Sequence, residues 1–157
     1  MLTPGTKAPE FILNTHDGTE TSLSALLQNG PLILYFYPAD FTPGCTKEAC
    51  AIRDIHDDIQ AVGLTVAGIS PQDEESHQRF REEHNLPFIL FSDPEKVAIK
   101  MYDVDGPFGV GVRRATFLIG QDRSINDAMM ADVRIDRHRE FIEKAVILRE
   151  TAGLKSV

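Results

Sequence analysis

The sequence predicts an α/β fold with a central mixed β-sheet flanked by helices and an N-terminal β-hairpin extension, on three observations. The runs Leu32–Tyr37 and Leu64–Ile69 are apolar without polar alternation, the pattern of strands buried on both faces. Segments with helical apolar spacing alternate with such runs, which calls for helices layered on a sheet. The last two strands, Arg113–Ile119 and Ile125–Val133, are separated only by the turn around Asp122-Arg123-Ser124, so the sheet closes on a hairpin and is mixed. With 157 residues and no linker, repeat or low-complexity segment, the whole chain, 1–157, is expected to form a single domain.

In order, Phe11-Ile-Leu-Asn, the turn His16-Asp-Gly18 and Thr19–Ser22 read as a hairpin. Ser22 or Ser24 can then cap a short helix ending near Asn29-Gly30. After the strand Leu32–Tyr37, Thr42-Pro43-Gly44 opens a helix whose apolar positions Ile52, Ile55, Ile59 and Val62 recur at helical spacing up to Gly63. Ser70-Pro71-Gln72-Asp73 follows the second buried strand and has the cap, first-turn proline and acidic residue of a helix start, for a solvated helix to about His84. A strand Phe88–Phe91 leads through Asp93-Pro94 into a short helix ending at Met101, and the segment Asp103–Gly111 is glycine-rich. A last helix is expected from about Arg137 to Ala152, stopped by Gly153.

A net charge of −8 disfavours nucleic acid or anionic membrane as partner, because phosphate binding needs concentrated Lys and Arg. The longest apolar run is too short to cross a bilayer and the first residues do not resemble an export leader, so a cytoplasmic protein is expected. Two cysteines in such a protein point to a reactive or redox thiol rather than a structural staple.

Both cysteines lie in one segment, five residues apart, so any thiol chemistry must happen there. With Thr42 as cap and Pro43 as the first helical residue, Cys45 falls in the first turn, where unpaired N–H groups and the helix dipole favour an anion. Such surroundings bring a cysteine pKa from about 8.5 into the range of roughly 3.5 to 7.5. The plainer reading makes Cys45 a small buried hydrophobe behind a good helix start, and Cys50 in the same helix argues against it. On an intact helix, residues five apart are separated by ~140° around the axis and ~8.6 Å between Cα atoms. A disulfide tolerates at most about 7 Å, so joining Cys45 to Cys50 requires unwinding the first helical turns. The pair fits a redox switch better than a permanent cross-link.

The stretch Pro38-Ala-Asp-Phe-Thr42-Pro43-Gly44-Cys45-Thr-Lys-Glu48-Ala-Cys50 closely resembles the active-site segment of peroxiredoxins. Within them it is similar to the atypical two-cysteine, Q-type or bacterioferritin-comigratory-protein subfamily. The likeness extends to Gly5–Phe11, to Ala67–Ser70 and to Arg114–Ile119. It implies a thioredoxin-like fold and thiol-dependent reduction of hydrogen peroxide and organic hydroperoxides, with no cofactor or metal. By the same resemblance Cys45 matches the peroxidatic cysteine, Cys50 the resolving one, Thr42 a hydroxyl that contacts the peroxide, and Arg114 the arginine beside the sulfur. Glu48 matches an acidic position that orients the active-site hydrogen bonds. Cys45 would pass through a sulfenic acid to a Cys45–Cys50 disulfide, reset by a thioredoxin- or glutaredoxin-type dithiol reductant, in a monomer or weak homodimer. The short segment Asp103–Gly111 departs from the longer one of many relatives. Arg113 and Arg114 would face opposite sides of a strand, so only one can serve.

Other readings are poorer. A cysteine hydrolase built on Cys45 with His56 or His84 lacks an oxyanion motif and a third member. A zinc site lacks the usual cysteine spacing, and a disulfide carrier would need Cys-x-x-Cys. Asp57-Asp58 and Glu74-Glu75 read as solvated helix faces, Gly109-Val-Gly111 lacks the context of a dinucleotide loop, and Met129-Met130 reads as packing. The five histidines are expected at surface or partly buried positions. A redox sensor or holdase that uses the same cysteine switch without peroxidase turnover is the alternative function.

Overall fold

The computed structural model describes the backbone of residues 1–155, with side chains as far as residue 152. One seven-stranded sheet organises it, in the order β2-β1-β5-β4-β3-β6-β7. Its centre is β3 (Leu32–Phe36), which pairs in parallel with β4 (Thr65–Ser70) and antiparallel with β6 (Ala115–Ile119). β5 (Ile89–Ser92) runs parallel to β4, and β7 (Ile125–Met130) closes one edge against β6. The expected N-terminal hairpin is β1 (Ile12–Thr15) and β2 (Glu20–Ser22), and it extends the sheet, because β1 pairs Asn14 with Ser92 and Thr15 with Phe91 of β5.

Both faces of the centre are covered, as the unalternating apolar runs require. Leu32, Leu34 and Phe36 point to one face, against α1 (Leu23–Leu27) and α5 (Val97–Met101). Ile33, Tyr35 and Tyr37 point to the other, against α2 (Pro43–Asp54), α3 (His56–Ala61), α4 (Glu74–His84) and α6 (Asp136–Lys155). Among the described residues no helix is long and apolar enough to cross a membrane.

Several boundaries differ from the sequence expectation for physical reasons. Ser22 caps α1, its hydroxyl accepting from the Ala25 N–H at 3.1 Å. The long helix expected after Thr42 is divided at Ile55, where the N–H turns to the carbonyl of Ile52, one residue tighter than the helical ladder. The apolar spacing runs on through the joint, since Ile52, Ile55 and Ile59 all face the core, so periodicity does not reveal it. α4 is capped by Asp73, which accepts from the Ser76 N–H at 2.8 Å, while Ser70 ends β4 and Pro71 precedes the helix. β6 starts at Ala115 instead of Arg113, β7 ends at Met130 instead of Val133, and α6 continues past Gly153. His77 and His138 are fully buried and His56 nearly so, against the expected surface or partly buried positions.

Candidate active site

The site forms where β3 ends and α2 begins. Asp40, buried in the connecting loop, accepts hydrogen bonds from the hydroxyls of Tyr37 (2.6 Å) and Ser76 (2.8 Å), and His77 Nδ1 lies 2.6 Å from it. Phe41 follows in the left-handed region at φ 63°, its ring edge-on to Phe80 at 5.2 Å. Thr42 is the N-cap in extended conformation with Pro43 next, yet its hydroxyl makes no cap hydrogen bond and donates instead to the Ala39 carbonyl at 3.0 Å. The α2 ladder opens with Thr46 N–H to the Thr42 carbonyl at 2.9 Å, so the amides of Gly44 and Cys45 precede it. Cys45 is 2% exposed, Cys50 is half-buried on the same unbroken helix, and both are free thiols.

Arg114 enters from the residue before β6. Its Nη1 donates to Cys45 Sγ at 3.2 Å and to Glu48 Oε1 at 3.0 Å. Gly44 permits this approach, since a Cβ there would sit 3.1 Å from Arg114 Nη2 and 2.8 Å from Ile135 Cδ1. Arg113 points away and pairs with Asp132 at 2.7 Å on the surface, so of the two arginines only Arg114 reaches the sulfur. All five residues singled out from sequence, Thr42, Cys45, Glu48, Cys50 and Arg114, thus lie on α2, at its cap or against it.

Sequence reasoning missed the wall behind them. His138, in the first turn of α6, approaches the Ala131 carbonyl with Nε2 at 2.9 Å and Thr116 Oγ1 with Nδ1 at 2.7 Å. The same Nδ1 is 3.4 Å from Glu48 Oε2, an oxygen that makes no hydrogen bond. No local pattern marks His138, which meets Glu48 only through the packing of α6 on α2.

Burial dominates the electrostatics. It pushes the Glu48 carboxyl up to about 7 against the opposing pull of Arg114, and it lowers the His138 imidazole below its ordinary value. Burial also works against charge on Arg114, but Glu48 and Cys45 beside it hold the guanidinium above its ordinary range. Tyr35, behind the site, is driven far up by burial, with Glu48 and Cys45 adding to the shift. The arrangement sets one fixed cation between a sulfur and a carboxyl at the mouth of a helix, a setting suited to holding a thiolate and to stabilising negative charge on an oxygen placed against it.

Comparisons with known proteins identify the family. Residues 4–128 match the model of the AhpC/TSA family. Peroxiredoxin Bcp of Bacillus subtilis is 40% identical over 124 residues, covering 75% of this chain and 78% of the relative. Among solved structures, peroxidoxin BcpB of Mycobacterium tuberculosis superposes with a TM-score of 0.88 at 32% identity, covering 94% of this chain and 98% of that one. The bacterioferritin comigratory protein of Xanthomonas campestris, solved in work on its alkyl peroxide reduction activity, gives a TM-score of 0.81 at 26% identity over 94% and 96% of the two chains. The chain therefore belongs to the AhpC/TSA family and, within it, to the thioredoxin-like peroxiredoxins of the Bcp and Q type, which are thiol peroxidases.

Proposed function

We propose that Cys45 is the peroxidatic residue of this peroxidase, that Cys50 resolves it through an intramolecular disulfide, and that a thioredoxin- or glutaredoxin-type dithiol restores both thiols. The observation that carries the reading is the Arg114 guanidinium shared at about 3 Å between Cys45 Sγ and Glu48 at the N-terminus of α2. Hydrogen peroxide and organic hydroperoxides are the substrate class, in keeping with the alkyl peroxide reduction named for the Xanthomonas relative.

In the first step the Cys45 thiolate attacks one peroxide oxygen, an S–O bond forms and the O–O bond breaks. The electron pair leaves on the other oxygen, which takes a proton and departs as alcohol or water. Arg114 and the amides at the start of α2 stabilise charge on that leaving oxygen. The Thr42 hydroxyl spends its own hydrogen on the Ala39 carbonyl, so its oxygen is left to accept the peroxide O–H and orient it. In the second step Cys50 sulfur attacks the Cys45 sulfenic acid, an S–S bond forms and water leaves. Both cysteines sit on the intact α2, so this step needs its first turns to unwind. Exchange with an external dithiol then returns two thiols and leaves the reductant oxidised.

Mass spectrometry of protein treated with one equivalent of peroxide tests the cycle. The wild type is expected to lose two hydrogens within the peptide that holds both cysteines, Cys45→Ser to consume no peroxide, and Cys50→Ser to react once and accumulate sulfenic acid. Unchanged turnover of Cys50→Ser with a dithiol reductant would remove Cys50 from the cycle, and a reactive Cys45→Ser protein would end the reading.

A further inference from the structure

The oxygen that departs in the first step carries a hydrogen when the substrate is hydrogen peroxide and a carbon group when it is an organic hydroperoxide. In the cycle proposed above, Arg114 and the start of α2 take up the charge on that oxygen, so whatever lines the site there meets the carbon group. Gly44, the residue before Cys45, marks the place. A Cβ added to it would lie 3.1 Å from Arg114 Nη2 and 2.8 Å from Ile135 Cδ1, so the guanidinium and the end of the isoleucine side chain converge on one side of the first helical turn. Ile135 is half-buried and is a member of neither apolar core, although its side chain is large and apolar.

The segment that carries Ile135 is also the one that fixes Arg114. The Ala131 N–H donates to the Arg114 carbonyl at 3.0 Å, and Asp132 accepts the Arg114 N–H at 2.9 Å. His138 Nε2 donates to the Ala131 carbonyl at 2.9 Å and the His138 N–H to the Ile135 carbonyl at 3.1 Å, which closes the segment onto α6. The isoleucine and the guanidinium are therefore held in one frame, and little ordering is left to be done when a substrate arrives. On the chain leading into Gly44, Phe41 and Pro43 are apolar and exposed, with Thr42 between them. A few placed polar groups bordered by apolar surface are the composition of a site for a small organic molecule.

We propose that Ile135 is a specificity-determining residue, which receives the carbon group of an organic hydroperoxide whose O–O bond lies between Cys45 and Arg114. The inference rests on the peroxidatic role of Cys45 given above. As the S–O bond forms and the O–O bond breaks, the electron pair goes to the oxygen that bears the carbon group, and this oxygen takes a proton and leaves as an alcohol. The carbon group stays on that oxygen throughout, so its contact with Ile135 persists in the transition state and raises the rate constant at low substrate. Hydrogen peroxide leaves as water and gains nothing from the contact.

Peroxide consumption by fully reduced protein in a single turnover isolates this step from the dithiol. Ile135→Ala is expected to lower the second-order rate constant for cumene hydroperoxide by about three- to ten-fold, and to leave that for hydrogen peroxide within about two-fold of the wild type. Ile135→Val removes the terminal carbon alone and serves where the alanine variant does not fold; it is expected to lower the ratio of the two constants by about two-fold. A disturbed α2 or a displaced Arg114 would slow both peroxides alike, so the ratio separates a contact with the carbon group from a loss of structure. The inference is overturned if the ratio stays at its wild-type value in both variants, or if it moves in favour of cumene hydroperoxide. An unchanged ratio in an active enzyme leaves the peroxidase reading standing, whereas a wild type that consumes neither peroxide would end that reading and this inference together.

Discussion

Glu48 concentrates the cost of building this site into one side chain. In the unfolded chain its carboxyl titrates near the ordinary 4.5, and in the folded protein near about 7, with burial as the main cause. Between those values the folded state holds a proton that the unfolded state has lost, so stability is greatest below the lower value and falls as pH rises through the window. His138 runs the opposite way. Its lowered value means that the unfolded chain takes up a proton first as pH falls below about 6.5, and stability falls with it. Denaturant unfolding of wild type and Glu48→Gln at about pH 5 and about pH 7 separates the two contributions, because the histidine is common to both proteins. The stability of the wild type relative to Glu48→Gln is expected to drop by roughly 2–3 kcal/mol between those conditions. A flat difference would mean that Glu48 is ionised throughout.

At the scale of elements, the loop into α2 matters as much as the helix. His77 on α4 donates from Nε2 to the Phe91 carbonyl of β5 at 3.0 Å and pairs through Nδ1 with Asp40, which also receives Tyr37 and Ser76. α4 and β5, together with Tyr37 just after β3, thereby hold the turn that places Thr42 and Cys45, although α2 itself has to unwind for a Cys45–Cys50 bond. His77→Leu leaves buried Asp40 with only the Tyr37 and Ser76 hydroxyls as partners and is expected to cost about 1–3 kcal/mol. Amide hydrogen exchange over the first turns of α2 should speed up with it, and unchanged exchange there would show that the pair does not hold the helix start. None of this network was legible in the sequence, where Asp40 and His77 are separated by 37 positions and share no motif. The cap position of Thr42, the proline after it and the place of Cys45 in the first helical turn were legible, because each follows from local chain chemistry, and Arg114 was legible only through the resemblance of its segment to a known family. The joint at Ile55 was hidden by an apolar spacing that continues through it. The cap of α4 was misplaced because Ser70-Pro71 imitates a helix start that Asp73 supplies.

At the scale of the molecule, the two faces of the sheet divide the labour. The core against α1 and α5 contains no residue of α2, so unwinding the start of that helix strips Cys45 and Ala49 from one face and leaves the other untouched. A redox cycle that melts part of a helix is compatible with a stable fold for this reason. The face that bears the site relies instead on its aromatic floor. Tyr35 stacks on Tyr37 at 5.3 Å and meets Phe88 edge-on at 6.0 Å, and its ring lies over Gly68, the residue in register with it on β4. A Cβ at Gly68 would come within 2.8 Å of that ring and 3.0 Å of Leu90 Cδ2, both fixed in a packed core. Gly68→Ala is therefore expected to lower stability by about 1–3 kcal/mol, as overpacking does, with the denaturant midpoint falling at unchanged slope. Tyr35 also backs Glu48 and Cys45, so displacing its ring should slow peroxide consumption under conditions where the variant is fully folded. A Gly68→Ala protein with wild-type midpoint and rate would mean that the sheet yields locally to the methyl group, and that the floor does not transmit its packing to the sulfur.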